Sequence, residues 1–371
     1  MARLGDLCRF INGDRGKNYP SQADISVDGE VPFINAGHLV EGEINFSEMN
    51  YISQQKFEQL NSGKIQENDI LYCLRGSLGK KAIVKDIHKG AIASSLVIIR
   101  PDTTRLNSDY LFYALESPTV QEQMMQANNG SSQPNLSAKS VSDYTFNLPG
   151  INEQLVIVSK LAKANELIAL RKEQLAKLDQ LVKSRFVELF GDPISNPMGW
   201  KTNRFDSLCE NLDSRRKPIT ASERETGIYP YYGASGIVDY VADYLFDEDI
   251  LLVSEDGANL LMRSTPIAFS VSGKVWVNNH AHVVRFEKMS MQKYIEAFFS
   301  MIDISEHITG SAQPKLNQAK LNAMMFPVPD DDRLEAFLSF IEQTDKSKLA
   351  IQQSLDKLET LKKSLMQEYI G

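Results

Sequence analysis

Residues 175–191 read LAKLDQLVKSRFVELFG and residues 355–371 read LDKLETLKKSLMQEYIG. The two stretches align without a gap at an offset of 180 residues, and their apolar positions coincide. The same offset holds upstream. GSSQPNLSAKSVSDYTFNLP at 130–149 faces GSAQPKLNQAKLNAMMFPVP at 310–329, sharing Gly, Ser, Gln, Pro, Leu and the final Pro. NDIL at 68–71 faces EDIL at 248–251. Nearer the start, DLC at 6–8 faces SLC at 207–209, now displaced by 201, so the first parts of the copies differ by an insertion. Self-similarity of this length and order makes the chain two copies of one unit of about 180 residues.

Each copy begins with a mixed portion. Short β-rich runs such as AIASSLVIIRP (91–101) and HAHVVRF (280–286) alternate with Gly, Asn and Asp turn signals. Each ends in a long helical signal. Between Asn152 and Phe190, apolar residues recur at spacings near three and four: Leu155, Val158, Leu161, Ala164, Ile168, Leu175, Leu178, Val182, Phe186 and Leu189. Pro149 precedes this run, Asn152 is a candidate cap, and Gly191-Asp192-Pro193 ends it. The second helix is expected from about Asp332 to Ile370, opened by Asp330, Asp331 and Asp332, which suit the positive end of a helix dipole. About 40 residues at 1.5 Å each give a rod of roughly 60 Å. One globular domain cannot cover so long a stripe. The two helices are therefore expected to pair as an antiparallel coiled coil through Leu161, Ile168, Leu175, Leu178, Val182, Ile341, Leu355, Leu358 and Leu365. The expected fold is α+β with a pseudo-two-fold internal repeat. Its parts are a globular domain over 1–150, a helix over 151–191, a second globular domain over 192–328 and a helix over 329–371. Such a caliper suits two half-sites about one turn, roughly 34 Å, apart on duplex DNA.

The 371 residues are 42% hydrophobic and 24% charged, ordinary for a globular protein with more than one core. No apolar run approaches the 18 residues of a transmembrane helix, and MARLGDLCRFING lacks the apolar core of a secretory signal. Cys8, Cys73 and Cys209 are far apart and odd in number, which points to reduced thiols of a cytoplasmic protein. Forty basic residues against 48 acidic ones give a net charge of −8, distributed as −3, +2, −4 and −3 over the four parts above. Neither globular domain is basic, so the chain alone is expected to bind DNA weakly. No phosphate-binding loop is present; Gly76-Ser77-Leu78-Gly79-Lys80 has the wrong spacing. No dinucleotide fingerprint, nucleophile elbow or amide-clamping Asn-Pro-Pro-aromatic motif appears, and Ser195-Asn196-Pro197-Met198 reads as a turn between domains. His280 and His282 lie two apart, so on a strand both would face one side. With no third ligand in register they read as a surface or DNA-facing pair, not a metal site.

Several polar loops suit contact with a nucleic acid. Arg75, Ser77, Lys80 and Lys81 follow the strand-like ILYCL, where glycines let the backbone approach a phosphate and cations offer phosphate or guanine contacts. Arg15 and Lys17 lie in an earlier basic turn. Asn128, Asn129, Ser132 and Gln133 form an amide-rich loop of the kind that grips adenine. Its recurrence around Gln313, also a candidate contact, points to shared scaffold or a phosphate clamp rather than sequence readout, and Lys139, Lys315 and Lys320 are expected on phosphates. In copy two the candidates are Arg215, Arg216 and Lys217, then Tyr231, Tyr232 and Ser235, then Asn259, Arg263 and His280. The loop 254–259 with Arg263 is the positional counterpart of the Arg75 loop, with acids in place of cations. Acids repel phosphate, so Glu255 or Asp256 fits only deep in a groove, accepting from cytosine N4, or as a packing element that orients Arg263.

The tandem units, Gly-Ser-x-Gln-Pro-x-Leu at 130–136 and 310–316, LPGINEQ at 148–154 and LVKSRFVELFGDPISNPMGW at 181–200 resemble the specificity subunit of type I restriction-modification systems, over nearly the whole chain. The resemblance implies a non-catalytic subunit with two target-recognition domains, each reading one half of a bipartite asymmetric DNA site. It implies helices that set the spacing and dock two modification subunits, which bring S-adenosylmethionine and adenine N6 methylation. Restriction subunits would bring ATP, Mg2+ and cleavage, and no cofactor is expected in this chain. One departure is PDDDRL at 329–334, where the resemblance calls for Glu-Gln after the proline, so symmetric docking at the two helix starts is the weaker expectation. Two other readings are a detached recognition half of a single-chain restriction-methylation enzyme and a protein-binding scaffold. A salt-dependent DNA affinity separates the scaffold from the others.

Overall fold

The computed structural model describes residues 1–128, 134–310 and 312–371. The chain forms two compact units: residues 1–172 with 353–371, and residues 173–352. The sequence repeat and the compact unit therefore differ. Each unit takes a globular portion, the first half of the long helix that follows it, and the second half of the other long helix.

The first long helix spans Ile151–Phe190 and the second Asp331–Tyr369. The first starts one residue earlier than its sequence signal: the amide of Gln154 donates to the carbonyl of Gly150 at 3.0 Å, so Asn152 lies inside the first turn and is not the cap. Gln154 is buried and satisfies three backbone groups. Its Oε1 accepts from the Asn107 amide (2.8 Å), and its Nε2 donates to the carbonyls of Arg105 and Pro149 (both 2.9 Å). The inward run is consequently Gln154, Ile157, Leu161, Ala164. Leu155, expected in the stripe, is turned out and 50% exposed. Gly191 ends the helix at φ +80°, donating to the Val187 carbonyl at 2.8 Å. The acids before the second helix act as expected: Asp330 Oδ1 accepts from the Arg333 amide at 2.9 Å.

Within each unit the two helix halves run antiparallel. In the first unit, Lys160 Nζ donates to Tyr369 Oη (2.9 Å) and Arg171 Nε to Ser354 Oγ (3.2 Å), so ascending numbers meet descending ones. In the second, Lys348 pairs with Asp179 (2.6 Å) and Arg333 Nη1 donates to the Leu189 carbonyl (2.9 Å). Of the expected packing residues, Leu161, Ile341 and Leu355 are buried, and Ile168, Leu175, Leu178, Val182, Leu358 and Leu365 half-buried.

The helices also close the globular cores. Ile157, Leu161, Met366 and Ile370 sit in one cluster with Leu4, Tyr110 and Phe146. Phe186, Phe190, Leu334 and Phe337 sit in another with Phe205, Phe298 and Phe326. Each globular portion carries an antiparallel four-stranded sheet in one order. The first runs Cys8–Asn12, Leu96–Pro101, Ile70–Cys73, Lys81–Ile83; the second runs Glu210–Asn211, Ala281–Arg285, Ile250–Ser254, Ala268–Val271. Alternation along Leu96–Ile99 sends Val97 and Ile99 to one core and Leu96 and Ile98 to another, which is why the strand reads as continuously apolar. Away from this frame the units diverge. The first adds a three-stranded sheet of Val31–Ile34, Tyr51–Ile52 and Ala91–Ile92, and the second a four-stranded sheet containing the hairpin of Thr226–Gly233 and Gly236–Val241. Cys8, Cys73 and Cys209 are free, and burial pushes the thiols of Cys8 and Cys209 up to about 12.

Lys81 is a structural residue rather than a DNA contact. It is 8% exposed, lies over the Phe112 ring at 4.3 Å and pairs with Glu116 at 3.0 Å. Glu116 also holds Lys362 of the second helix at 3.2 Å. Burial pulls the Lys81 ammonium below the usual lysine range, and Glu116 opposes that pull. Glu116→Gln leaves a buried cation without its counter-charge and is expected to cost the first unit about 3 kcal/mol. A urea titration reads this as a lower midpoint for one transition, while Lys362→Met, at the more exposed partner, shifts it much less.

Candidate nucleic-acid interface

The strand Ile70–Cys73 leads into Leu74-Arg75-Gly76, and a backbone clamp fixes that turn. The Gly76 amide donates to the Pro134 carbonyl (3.2 Å), the Leu136 amide to Leu74 (2.8 Å), and the Leu74 amide to Ser95 (2.9 Å). The second unit repeats the clamp. The Gly257 amide donates to Pro314 (3.0 Å), the Leu316 amide to Glu255 (2.8 Å), and the Glu255 amide to His280 (2.9 Å). Gly76 and Gly257 have φ of +79° and +111°, backbone that a side chain would strain. The clamp explains why Gln-Pro-x-Leu recurs: Pro134 and Pro314 supply the carbonyls, Leu136 and Leu316 the amides. It also equates residues. Arg75 and Asp256 hold the same place, each bridging the segment after its proline at Asn135 and Lys315.

In the first unit Arg75 shares a hollow with Arg15, Gly16, Tyr19 and Ser94. Its wall is rigid. Asp14 is buried and accepts from the amides of Arg15 (2.7 Å) and Asn61 (2.5 Å). Tyr19 meets Phe33 edge-on at 5.8 Å, and its Oη accepts from the Ser94 amide at 3.4 Å. Arg15, Lys17, Arg75, Ser77 and Lys139 are exposed and Lys80 half-exposed. None of these five cations has an ion pair among the described residues, so each is available to an anionic or polar partner without breaking a contact. Asn128 is half-buried and its Oδ1 accepts from the Asn135 amide at 3.1 Å. Asn129, Ser132 and Gln133 lie outside the described residues.

The second unit corrects several expectations. Arg216 is held by Glu255 (2.6 Å), the Ala281 carbonyl (2.7 Å) and Asp213 (3.3 Å). Arg263 donates to the carbonyls of Phe299 (2.9 Å) and Ile302 (2.7 Å), tying down the end of the helix Met289–Met301. Tyr231 is 1% exposed, and its Oη accepts from the Ile219 amide at 3.1 Å. The Asn259 side chain folds its own turn by bonding Ser264 and Thr265. Each group is spent inside the protein, satisfying backbone or side-chain donors and acceptors of the local fold. Arg215 is bonded to Glu248 at 2.6 Å and to the Leu245 carbonyl at 3.1 Å, and lies over the Phe246 ring at 4.5 Å. Tyr232 leans on Phe269, with ring centres 6.0 Å apart. Lys217, Ser235, Gln313 and Lys320 remain exposed, and Lys315 pairs with Glu255 at 3.0 Å.

His280 and His282 do not form a surface pair. His280 precedes the strand Ala281–Arg285 and places Nδ1 2.9 and 3.0 Å from the carboxylate oxygens of Asp256. His282 is 1% exposed, with Nδ1 2.6 Å from Asp213 and Nε2 2.8 Å from the Leu316 carbonyl. Asp213, Glu255 and His282 lie close enough to share a cation. Arg216 and Lys315 already neutralise the carboxylates there, so the cluster works as an ion network that locks the strand ends to the Pro314 segment. Only the residue types, not their spacing, hinted at this network: its five members span more than a hundred residues of sequence.

A family model described as type I restriction modification DNA specificity domain matches residues 1–180 and again 197–363, one match per copy of the repeat. The chain belongs to that family. It is 21% identical over 402 aligned residues to the MjaVIII specificity subunit of Methanocaldococcus jannaschii, covering 99% of this chain and 90% of that protein. It is 33% identical over 130 residues to a putative type I specificity subunit of Haemophilus influenzae, a stretch of 35% of this chain and 33% of that one. The fold matches that of the S subunit from M. genitalium, with a TM-score of 0.60 at 15% identity over 100% of this chain and 95% of that one. It also matches a chain from a structure described as the basis of complex assembly and conformational transition of the type I R-M system, with a TM-score of 0.58 at 15% identity over 99% of this chain and 96% of that one.

Proposed function

We propose that this chain is the DNA-choosing, non-catalytic component of a type I restriction-modification complex in the cytoplasm, each unit reading one half of a bipartite, asymmetric sequence in double-stranded DNA. The observation that carries this reading is the clamp shared by both units. It presents exposed Arg75 in one and the Asp256–His280 pair in the other, so equal frames carry unequal chemistry. A protein-binding scaffold has no need of that inequality, and a detached half of a single-chain enzyme would carry it with other partners. The globular portions over 1–150 and 192–328 are the proposed recognition domains. The long helices over 151–191 and 329–371 are proposed to fix the number of unread base pairs and to dock two modification subunits. S-adenosylmethionine belongs with those subunits, and ATP with Mg2+ with restriction subunits. Ile151, Leu155 and Val156 are exposed apolar residues at the start of the first helix, whereas Asp331, Glu335 and Ala336 hold the matching positions of the second. A docked subunit would cover the first set, and the acidic second set favours a differently built contact. No helix among the described residues is long and apolar enough to cross a membrane.

The test is a map of N6-methyladenine across the source chromosome, with the gene intact and deleted. Loss of one bipartite motif on deletion supports the proposal; an unchanged map together with salt-independent DNA binding overturns it. In vitro, the affinity of the assembled complex for its site falls with salt, each phosphate contact contributing about −0.9 to the slope of log K against log salt. Replacing Lys17, Lys80 and Lys139 together by Ala is expected to reduce that slope by up to about 3 and to weaken all sequences alike. The isolated chain, at net −8, is expected to bind much more weakly than the complex.

A further inference from the structure

We infer that the two units read opposite base chemistries at one equivalent position: Arg75 donates to a guanine in one half-site, and Asp256 accepts from an exocyclic base amine, cytosine N4 or adenine N6, in the other. This rests on the recognition reading above and goes beyond it by naming the reading residues and the edges they meet.

The two places are the same by backbone geometry. Each residue precedes a glycine of positive φ whose amide binds a proline carbonyl, and each follows a residue whose carbonyl accepts from a leucine amide. If both copies of the repeat lay the same face on DNA, the two side chains meet the same layer of the duplex. That layer cannot be the phosphate backbone. A carboxylate facing phosphates is repelled, and Asp256 is not masked by a cation of its own loop; its partner is the imidazole of His280, half-exposed beside it. A groove edge is different, because cytosine and adenine present amine hydrogens there. By equivalence Arg75 also faces base edges. A guanidinium fork there matches guanine O6 and N7 with two parallel bonds. Arg75 has no ion pair among the described residues and lines its hollow with Arg15, whose backbone is anchored on buried Asp14. In the second unit His280 Nδ1 lies against both carboxylate oxygens of Asp256, which fixes the carboxylate's orientation; the Asp256 side chain is 15% exposed, so only a group that reaches in beside the half-exposed His280 can meet its remaining lone pairs. Arg216 and Lys315 bind Glu255 instead and so do not compete for Asp256.

The experiment is the N6-methyladenine motif written in cells by the intact complex, with Arg75→Gln, Arg75→Lys and Asp256→Asn in turn and the wild-type chain beside them. Arg75→Gln is expected to make one guanine position of one half-site degenerate, with discrimination there falling about 5- to 150-fold, and to leave the other half-site unchanged. Arg75→Lys keeps the charge but loses the fork, so it relaxes the same position. Asp256→Asn relaxes a single cytosine or adenine position in the opposite half-site. The inference is overturned if Arg75→Lys keeps the full motif while Arg75→Gln lowers methylation at every site equally, the pattern of a phosphate contact. It is overturned equally if Asp256→Asn, in a complex that still methylates, leaves its half-site unaltered. Failure of the underlying recognition reading is distinguishable, because then the wild-type chain writes no motif at all. Arg75 is exposed and its side chain has no hydrogen bond or ion pair among the described residues, so its two variants keep the test open if the Asp256 variant does not fold.

Discussion

Removing residues 353–371 is expected to unfold the first unit while the second retains its own cooperative transition. The segment is remote in sequence from everything it supports. Yet Ile370 is fully buried among Leu4, Tyr110 and Phe146, and Met366 packs beside it. Tyr110 Oη donates to the carbonyls of Asn147 and Tyr369, and the Asn147 amide donates to the carbonyl of Ile370. Lys362 supplies half of the counter-charge that Glu116 uses. Truncating a buried Ile or Met to Ala costs about 2–5 kcal/mol each, so loss of both side chains and the bonds around them approaches the roughly 5–15 kcal/mol that holds a whole domain folded. Calorimetry of the truncated chain should show the transition of the first unit lost and that of the second kept. Ile370→Ala alone should lower the first transition by about 3 kcal/mol and leave the second in place. If truncation leaves both transitions untouched, the division into units described above is wrong.

That result separates what was legible in the sequence from what was not. The repeat was legible because the same local rules act twice: apolar spacing writes the helices, and Gln-Pro-x-Leu writes the clamp. The helices' partners were only partly legible. Periodicity says which face is buried but not what buries it, so Leu161 and Ile341 were found as a coiled-coil seam although both belong to globular cores. Leu155 was misplaced because a polar residue, Gln154, takes the inward position by satisfying three backbone groups. No hydropathy rule selects a glutamine for a core.

The candidate site divides along the same line. Exposure follows from turn chemistry, which points to Arg15, Lys17, Arg75 and Lys80, all of which reach solvent in the structure. Pairing across the fold does not follow from it. Arg216, Arg263 and Lys81 have the same side-chain chemistry as the free cations, and only their distant partners distinguish them. The second unit spends Arg216 of its basic run inside itself because its clamp carries Glu255 where the first unit carries Leu74. That acid needs Arg216 and Lys315, and the need removes both from the pool that a ligand could use.

The same network makes the second unit acid-sensitive, and the largest single-residue loss is expected at Asp213. Its Oδ1 accepts from the Val283 amide at 2.8 Å, its Oδ2 lies 2.6 Å from His282 Nδ1, and Arg216 approaches at 3.3 Å. Burial raises the affinity of this carboxyl for a proton, but the bonds and charges of His282, Val283 and Arg216 outweigh it and hold the group below the usual aspartate range. Glu255 is held low in the same way, by Arg216, Lys315 and His282 against its own burial. A carboxyl depressed in the folded state stabilises fully above its unfolded value, near 4, and loses that contribution as pH falls through the lower folded value. The midpoint of the second unit is therefore expected to fall steeply below about pH 4. Asp213→Ala strands His282, with its Nε2 still against the Leu316 carbonyl, and takes a carboxylate from Arg216, so it should cost about 3–5 kcal/mol at neutral pH. Asp213→Asn restores the shape without the charge and should recover part of the loss while flattening the acid limb of the profile. Urea midpoints of the wild type and both variants between pH 3 and 7 check this. A wild-type profile with no acid limb, or an Asp213→Ala variant as stable as the wild type, would show that the Pro314 clamp stands without the network beneath it.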